Sequence, residues 1–132
     1  MSDTENKKRV FIAEDDESGL LSLKKLLSLS GFEVEGTPHP KEVLSKIKSF
    51  KPDVILLDLL MPDLGGLEIC QMLNDDKETV GIPIIVVSAL AGYADIKQAY
   101  KLGVVGYVTK PYDYPNLIQE INKVIGYKGD IS

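Results

Sequence analysis

One cysteine, one histidine, no surplus of basic residues and no long apolar run: the 132-residue chain is first defined by what it lacks. The lone Cys70 excludes an intrachain disulfide and any multi-cysteine zinc site. His39, the only histidine, precedes Pro40 and reads as a surface turn residue without a catalytic part. Fifteen Lys and Arg against 20 Asp and Glu give a net charge of −5. That balance speaks against nucleic acid or an anionic membrane as the primary partner, since both attract basic patches. Apolar runs stay well short of the roughly 18 residues of a membrane span. Met1–Arg9 carries no apolar stretch of the secretory kind, so the expectation is a cytoplasmic protein. The length suits one domain: a polar leader at 1–7, a folded unit at 8–126 and a short tail at 127–132.

What is present is an alternation of short apolar runs with helical-period segments, five times over. Val10–Ala13, Val54–Leu57 and Ile84–Val87 are continuous apolar runs, the pattern of strands buried on both faces. Phe32–Glu35 alternates apolar with charged, and Val105–Thr109 is mixed and contains glycine; both read as edge strands. Between them, helical spacing is carried by Leu20, Leu23 and Leu27, widened by Leu26, and then by Val43, Ile47 and Phe50. A third stripe holds Ile69, Cys70 and Leu73, where the thiol is expected to be packed. The fourth holds Ile96, Ala99, Tyr100 and Gly103, and the fifth, from Tyr114 to Ile125, holds Leu117, Ile121 and Val124. Five β–α units with right-handed crossovers make a parallel sheet covered on both faces. With the apolar strands in the middle, the expected fold is an α/β, flavodoxin-like (βα)5 doubly wound sheet of strand order 2-1-3-4-5.

In such a sheet, ligands bind beyond the carboxyl ends of the strands at the switch point between the first and third. Glu14-Asp15-Asp16 leaves the first strand, and Asp58 leaves the third into a loop containing Met61, Pro62, Gly65 and Gly66. Carboxylates converging there repel one another unless a cation or shared protons relieve them. An all-oxygen cluster suits a hard metal such as Mg²⁺. Alternatively, Asp15, Asp16 and Glu17 cap the first helix, where acids favour the dipole. Ser88 and Lys110 leave the fourth and fifth strands at the same edge, a hydroxyl and a cation fit for a phosphate.

Together these motifs resemble the receiver domain of bacterial two-component response regulators, in the single-domain, chemotaxis-regulator-like form. The resemblance spans about Lys8 to Ile125 and rests on Glu14-Asp15, Asp58-Leu59-Leu60-Met61-Pro62 with Gly66, Ser88-Ala89 and Tyr107-Val108-Thr109-Lys110-Pro111. It implies a phosphorelay protein whose Asp58 accepts a phosphoryl group, becoming an aspartyl phosphate, with Ser88 and Lys110 assisting. It implies Mg²⁺ as the cofactor, held by Asp15, Asp58 and the backbone carbonyl of Leu60, with Glu14 acting through water. Asp16 falls one place beyond the acidic pair. The resemblance further implies Ser88 and Tyr107 as switch residues and a cis peptide at Lys110-Pro111. An aromatic at position 107 also suits ordinary packing in an edge strand.

The implied partners are a sensor histidine kinase or a histidine phosphotransfer protein, and an unidentified downstream protein target. The target is expected to meet the face formed by the fourth helix, fifth strand and fifth helix, and a homodimer through that face stays open. Tyr93, Tyr100, Tyr112 and Tyr114 cluster near it in sequence, either as a partner surface or with Tyr100 packed and the others on loops. The protein is expected to be no enzyme beyond catalysing its own phosphorylation and dephosphorylation. Leu60 and Leu90, two residues past the acceptor and the hydroxyl, cannot hold or polarise water, which implies a long-lived phosphorylated state. Rival readings are a receiver-fold module that is never phosphorylated, a Mg²⁺-dependent phosphohydrolase and a flavin-binding protein. The hydrolase would need an acid where Leu60 stands, and the flavin protein a phosphate cradle where the first β–α loop is acidic.

Overall fold

The computed structural model describes residues 7–126. Strands β1 (Arg9–Ala13), β2 (Glu33–Thr37), β3 (Val54–Leu57), β4 (Ile84–Ser88) and β5 (Gly106–Thr109) alternate with helices α1 (Glu17–Leu29), α2 (Val43–Phe50), α3 (Gly66–Asn74), α4 (Tyr93–Lys101) and α5 (Tyr114–Ile125). The strands form one parallel sheet in the order β2-β1-β3-β4-β5. This is the flavodoxin-like arrangement expected from burial pattern alone, and the reason is visible in the strands. Every residue of β3 and β4 is buried, whereas β2 alternates exposed and half-buried positions up to Thr37.

Period-2 geometry sends alternate residues of each strand to opposite faces. Phe11, Ile55, Leu57, Ile84 and Val86 pack against Val43 and Ile47 of α2, Ile69, Cys70 and Leu73 of α3 and Ala99 of α4. Val10, Ile12, Val54, Leu56, Ile85 and Val87 pack against Leu20, Leu23 and Leu27 of α1 and Leu117 and Ile121 of α5. Cys70 is fully buried, and burial pushes its thiol up to about 11, so it behaves as a small hydrophobe.

Several local expectations need correction. β2 runs from Glu33 to Thr37 rather than Phe32 to Glu35; Phe32 packs on the core just before the strand. β5 begins at Gly106, after an exposed Val105. A 3-10 turn, Pro40–Glu42, precedes α2, because Pro40 supplies a fixed φ and no N–H. Leu26 lies outside the buried stripe of α1 and is exposed. In α4 only Ala99 is buried: Tyr100 is 48% exposed and Gly103, at φ +94°, follows the helix end. Ala99 is thus the one residue of α4 buried in the core, and Val104 closes the core beyond the helix end. The proposed leader, apart from Lys7, and the tail at 127–132 lie outside the described residues. Among the described residues no helix is long and apolar enough to cross a membrane.

Candidate phosphoryl and metal site

The carboxyl ends of neighbouring strands are tied by backbone hydrogen bonds, β1 to β2 and β3, and β5 to β4. Glu14 N–H donates to Thr37 O at 3.2 Å, Asp58 N–H to Ala13 O at 3.0 Å and Lys110 N–H to Ser88 O at 2.9 Å. The residues that leave the sheet at these points are therefore fixed relative to one another before any side chain is considered. Pro/Gly chemistry shapes the loop beyond Asp58. A Cβ on Gly66 would lie 2.4 Å from Leu59 Cα and 2.8 Å from Asp58 O, so only glycine lets α3 start against the backbone of the Asp58 strand end. Asp63 adopts a left-handed φ of 67°, which a short polar side chain tolerates. Gly65 N–H donates to the Glu68 carboxylate at 2.9 Å, half of a capping box.

The first β–α loop divides its acids between two tasks. Asp16 is the N-cap of α1, its carboxylate accepting from Gly19 N–H at 3.0 Å. That leaves Glu14 and Asp15 facing Asp58: one carboxylate oxygen of each lies within 4.8 Å of the others. The capping alternative thus holds for Asp16 and fails for Asp15. Asp58 is only 5% exposed and Glu14 8% exposed, while Asp15 is exposed.

Lys110 reaches into this cluster. Its Nζ donates to Glu14 Oε1 at 2.6 Å and to Asp58 Oδ2 at 2.9 Å. Asp58 Oδ1 accepts from Leu60 N–H at 2.8 Å, and Glu14 Oε2 accepts from Asp16 N–H at 3.2 Å. Burial disfavours the charged Glu14 carboxylate, and although Lys110 and Asp16 pull the other way, its pKa stays above the ordinary carboxylate value. Burial also works against the Lys110 ammonium, but its hydrogen bonds to Glu14 and Asp58 outweigh it and hold its pKa above the ordinary lysine value. The Lys110–Pro111 peptide is cis.

Ser88 is fully buried at the end of β4, with its Oγ accepting from Leu90 N–H at 3.3 Å. Tyr107 on β5 packs against the same core, and its hydroxyl donates to Leu90 O at 2.7 Å. The β4–α4 loop is thus held at Leu90 by the two residues singled out as switch groups. The Leu90 carbonyl was not legible as a partner, because no side chain marks it. Tyr112 was also not assigned to the site; it lines a 70 Å³ cavity with Glu14, Asp16, Asp58 and Lys110. Its place two residues beyond Lys110 is the only signal for it in the sequence. His39 is exposed on the loop before the 3-10 turn and takes no part.

The donor set is all oxygen, without histidine or thiolate, which suits a hard divalent cation. Charge points the same way: three carboxylates face one ammonium, and a dication would balance the remainder.

Comparison with known proteins gives this geometry a family. The response regulator receiver domain model matches residues 10–122, and the chain belongs to that family of two-component phosphorelay proteins. The polar-differentiation response regulator DivK of Brucella anthropi is 34% identical over 119 residues, covering 90% of this chain and 97% of the relative. A CheY-like response regulator receiver domain protein from Methanospirillum hungatei is 28% identical with a TM-score of 0.84, over 91% of this chain and 94% of that one. The receiver domain of sensor histidine kinase PA1611 from Pseudomonas aeruginosa shares the fold at 21% identity and a TM-score of 0.83, covering 92% of this chain and 99% of that one. That structure has a magnesium ion coordinated in its active site cleft.

Proposed function

We propose that Asp58 is the phosphoacceptor of a cytoplasmic signalling receiver, residues 8–126, charged by the phosphohistidine of a sensor histidine kinase or a histidine phosphotransfer protein. The observation that carries this reading is the buried Asp58 carboxylate, hydrogen-bonded to Lys110 and within 4.8 Å of two further acids at the switch point of the sheet. An Asp58 carboxylate oxygen attacks phosphorus, the P–N bond of the donor breaks, and the imidazole leaves with its bonding pair and takes up a proton. Charge in the transferring group rests on its three outer oxygens, so positioned cations and donors are what the protein must supply. Lys110 supplies the ammonium and Ser88 the hydroxyl.

Mg²⁺ fits the acids: Asp15, Asp58 and the backbone carbonyl of Leu60 would hold it, with Glu14 acting through water. When bound, it neutralises charge on the phosphoryl oxygens. The magnesium in the cleft of the PA1611 receiver domain supports this assignment. The chain is no enzyme beyond this self-modification and the hydrolysis that reverses it.

Phosphorylation adds about −1.5 to −2 charges beside Ser88. Drawing the Ser88 hydroxyl toward the phosphoryl group disturbs Leu90, and Leu90 O is where Tyr107 is anchored. That biases the face made by α4, β5 and α5, where an open groove of about 720 Å³ is lined by Tyr100, Val105, Tyr107 and Lys123 among others. A downstream protein target reads that face.

The test is direct. Incubated with Mg²⁺ and acetyl phosphate, the intact protein should gain the mass of one phosphoryl group, and Asp58→Asn should gain none. Undiminished gain in the variant overturns the assignment, and catalytic turnover of phosphomonoesters would make the protein a hydrolase instead.

A further inference from the structure

The C-terminal ends of α2, α3 and α4 precede β3, β4 and β5, so they lie where the strands begin, at the edge of the sheet opposite the carboxylates. Polar side chains lace these ends together. Lys48, in the last turn of α2, pairs with Asp76 at 2.6 Å. Thr79, buried in the connection from α3 to β4, donates its hydroxyl to Leu73 O at 2.7 Å. Asn74, the last residue of α3, donates its side-chain amide to Leu102 O at 2.6 Å. Leu102 is the C-cap of α4, so Asn74 takes up a carbonyl that the helix end leaves without a partner. Gly103 turns the chain there at φ +94°, and Val104 N–H returns to Ala99 O at 3.3 Å.

The other end of α4 is made differently. Its N-cap, Gly92, offers no side chain to the first turn, and residues 91–94 are all exposed. The attachment before it is at Leu90, held by Ser88 and Tyr107. Ala99, the one buried residue of α4, sits in its second half. The helix is fastened at one end, and the loose end is the one that follows Ser88.

We propose that α4 is a flap hinged at Gly103 and pinned by the Asn74 amide, opening from its N-terminal turn while its C-terminal turn stays in place. To the reading of the α4–β5–α5 face, on which its regulatory meaning rests, this adds a direction. A disturbance at Leu90 swings the N-terminal end of α4 and does not slide the helix. The physical basis is local: a turn opens as readily as the few contacts that hold it allow.

Hydrogen exchange resolved by residue on the full unphosphorylated chain tests the hinge. Both reporting amides are bonded, Ile96 N–H to Gly92 O and Leu102 N–H to Gln98 O, at 3.1 Å each. Corrected for intrinsic rates, Ile96 should exchange about tenfold or more faster than Leu102, and equal or slower exchange overturns the proposal. Asn74→Ala should speed Leu102 about fivefold and leave Ile96 within about twofold. Asn74→Asp, close in shape but without the donor, should speed Leu102 at least as much. A Leu102 rate unchanged in either variant overturns the pin. An Ile96 rate raised as much as that of Leu102 overturns the hinge, because α4 then opens as one unit. The wild-type gradient needs no variant and decides the matter even where one fails to fold. Treated with Mg²⁺ and acetyl phosphate, protein that has gained the mass of one phosphoryl group should change its exchange at Ile96 and not at Leu102; any other pattern overturns the swing. A protein that gains no mass but keeps the gradient retains the hinge and loses the underlying reading.

Discussion

At the N-terminal end of β1, the partly exposed Arg9 side chain finds all its partners within the chain. Its Nη1 donates to Phe50 O at 2.7 Å, its Nε pairs with Glu33 at 3.3 Å, and its guanidinium lies 5.3 Å from the centroid of the Phe50 ring. Asp53 accepts the Arg9 backbone N–H and returns its own to Arg9 O. Beyond the C-terminal end of the same strand, three carboxylates cluster and two of them share one ammonium. One cluster spends its charge within the chain and joins β1, β2 and α2. The other leaves negative charge uncompensated on rigid strand ends, where a partner from solution can use it. Similar residues at the two ends of one strand therefore do different work, and their stoichiometry separates a clamp from a site.

The largest expected difference lies in how long the acid-rich end keeps what it accepts. Leu60 is 49% exposed beside Asp58, and Leu90 is half-buried next to Ser88. Neither side chain can orient or polarise an attacking water. Phosphorylated Leu60→Asn, Leu90→Glu protein should lose its phosphoryl group about a hundred-fold faster than wild type, the lower end of what a positioned acid–base group supplies. Decay of the phosphorylated mass after removal of the donor measures it, and equal lifetimes would remove the leucines from the account.

At the closed end, the expected effect is on stability alone. Arg9→Met removes a charge-assisted bond to a backbone carbonyl; because the side chain is 42% exposed, the ion pair with Glu33 counts for little. The cost should be about 1–2 kcal/mol, read as a shift in urea midpoint. Mg²⁺ at ten times its dissociation constant should add about 1.4 kcal/mol to wild type and Arg9→Met alike. A substitution at position 9 that altered this Mg²⁺ increment would couple the two ends and break the distinction between them.

Much of this was legible in the sequence, for identifiable reasons. Strand order followed from which runs were apolar throughout, since only central strands of a parallel sheet are covered on both faces. Asp58, Ser88 and Lys110 stood out because each follows the end of an expected strand, where a scaffold presents polar groups. Less legible was anything set by pairing across the sheet. The partition of Asp15 from Asp16 depends on where α1 begins, and the Glu14–Lys110 contact joins residues far apart in sequence. The inward reading of Gly103 failed because periodicity cannot tell that α4 stops at Lys101, and Tyr100, inside the helix, turns out exposed. The Tyr107 anchor on Leu90 is a main-chain acceptor, invisible to any reading of side chains.

The smallest effect tests the same contrast on a partly exposed pair far from the site. Lys48 on α2 meets Asp76, beyond α3, at 2.6 Å, with Glu78 at 3.8 Å. The hydrogen bond from Lys48 holds the Asp76 carboxyl below its ordinary 3.8, and the one to Asp76 holds the Lys48 ammonium above its ordinary 10.5. A carboxyl with a lowered folded pKa contributes stability that is present above its unfolded value and is lost as pH falls through the folded one. An ammonium with a raised pKa contributes below its unfolded value and loses that contribution as pH rises through the folded one. The pair should therefore be worth a constant, small amount across neutral pH, fading on the acid side below 3.8 and on the alkaline side above 10.5. Melting wild type and Lys48→Met side by side from pH 7 downward checks the acid limb. The gap between their midpoints should hold to about pH 4 and then close. A gap that persists unchanged well below pH 4 would mean that the Asp76 charge is not what makes Lys48 stabilising.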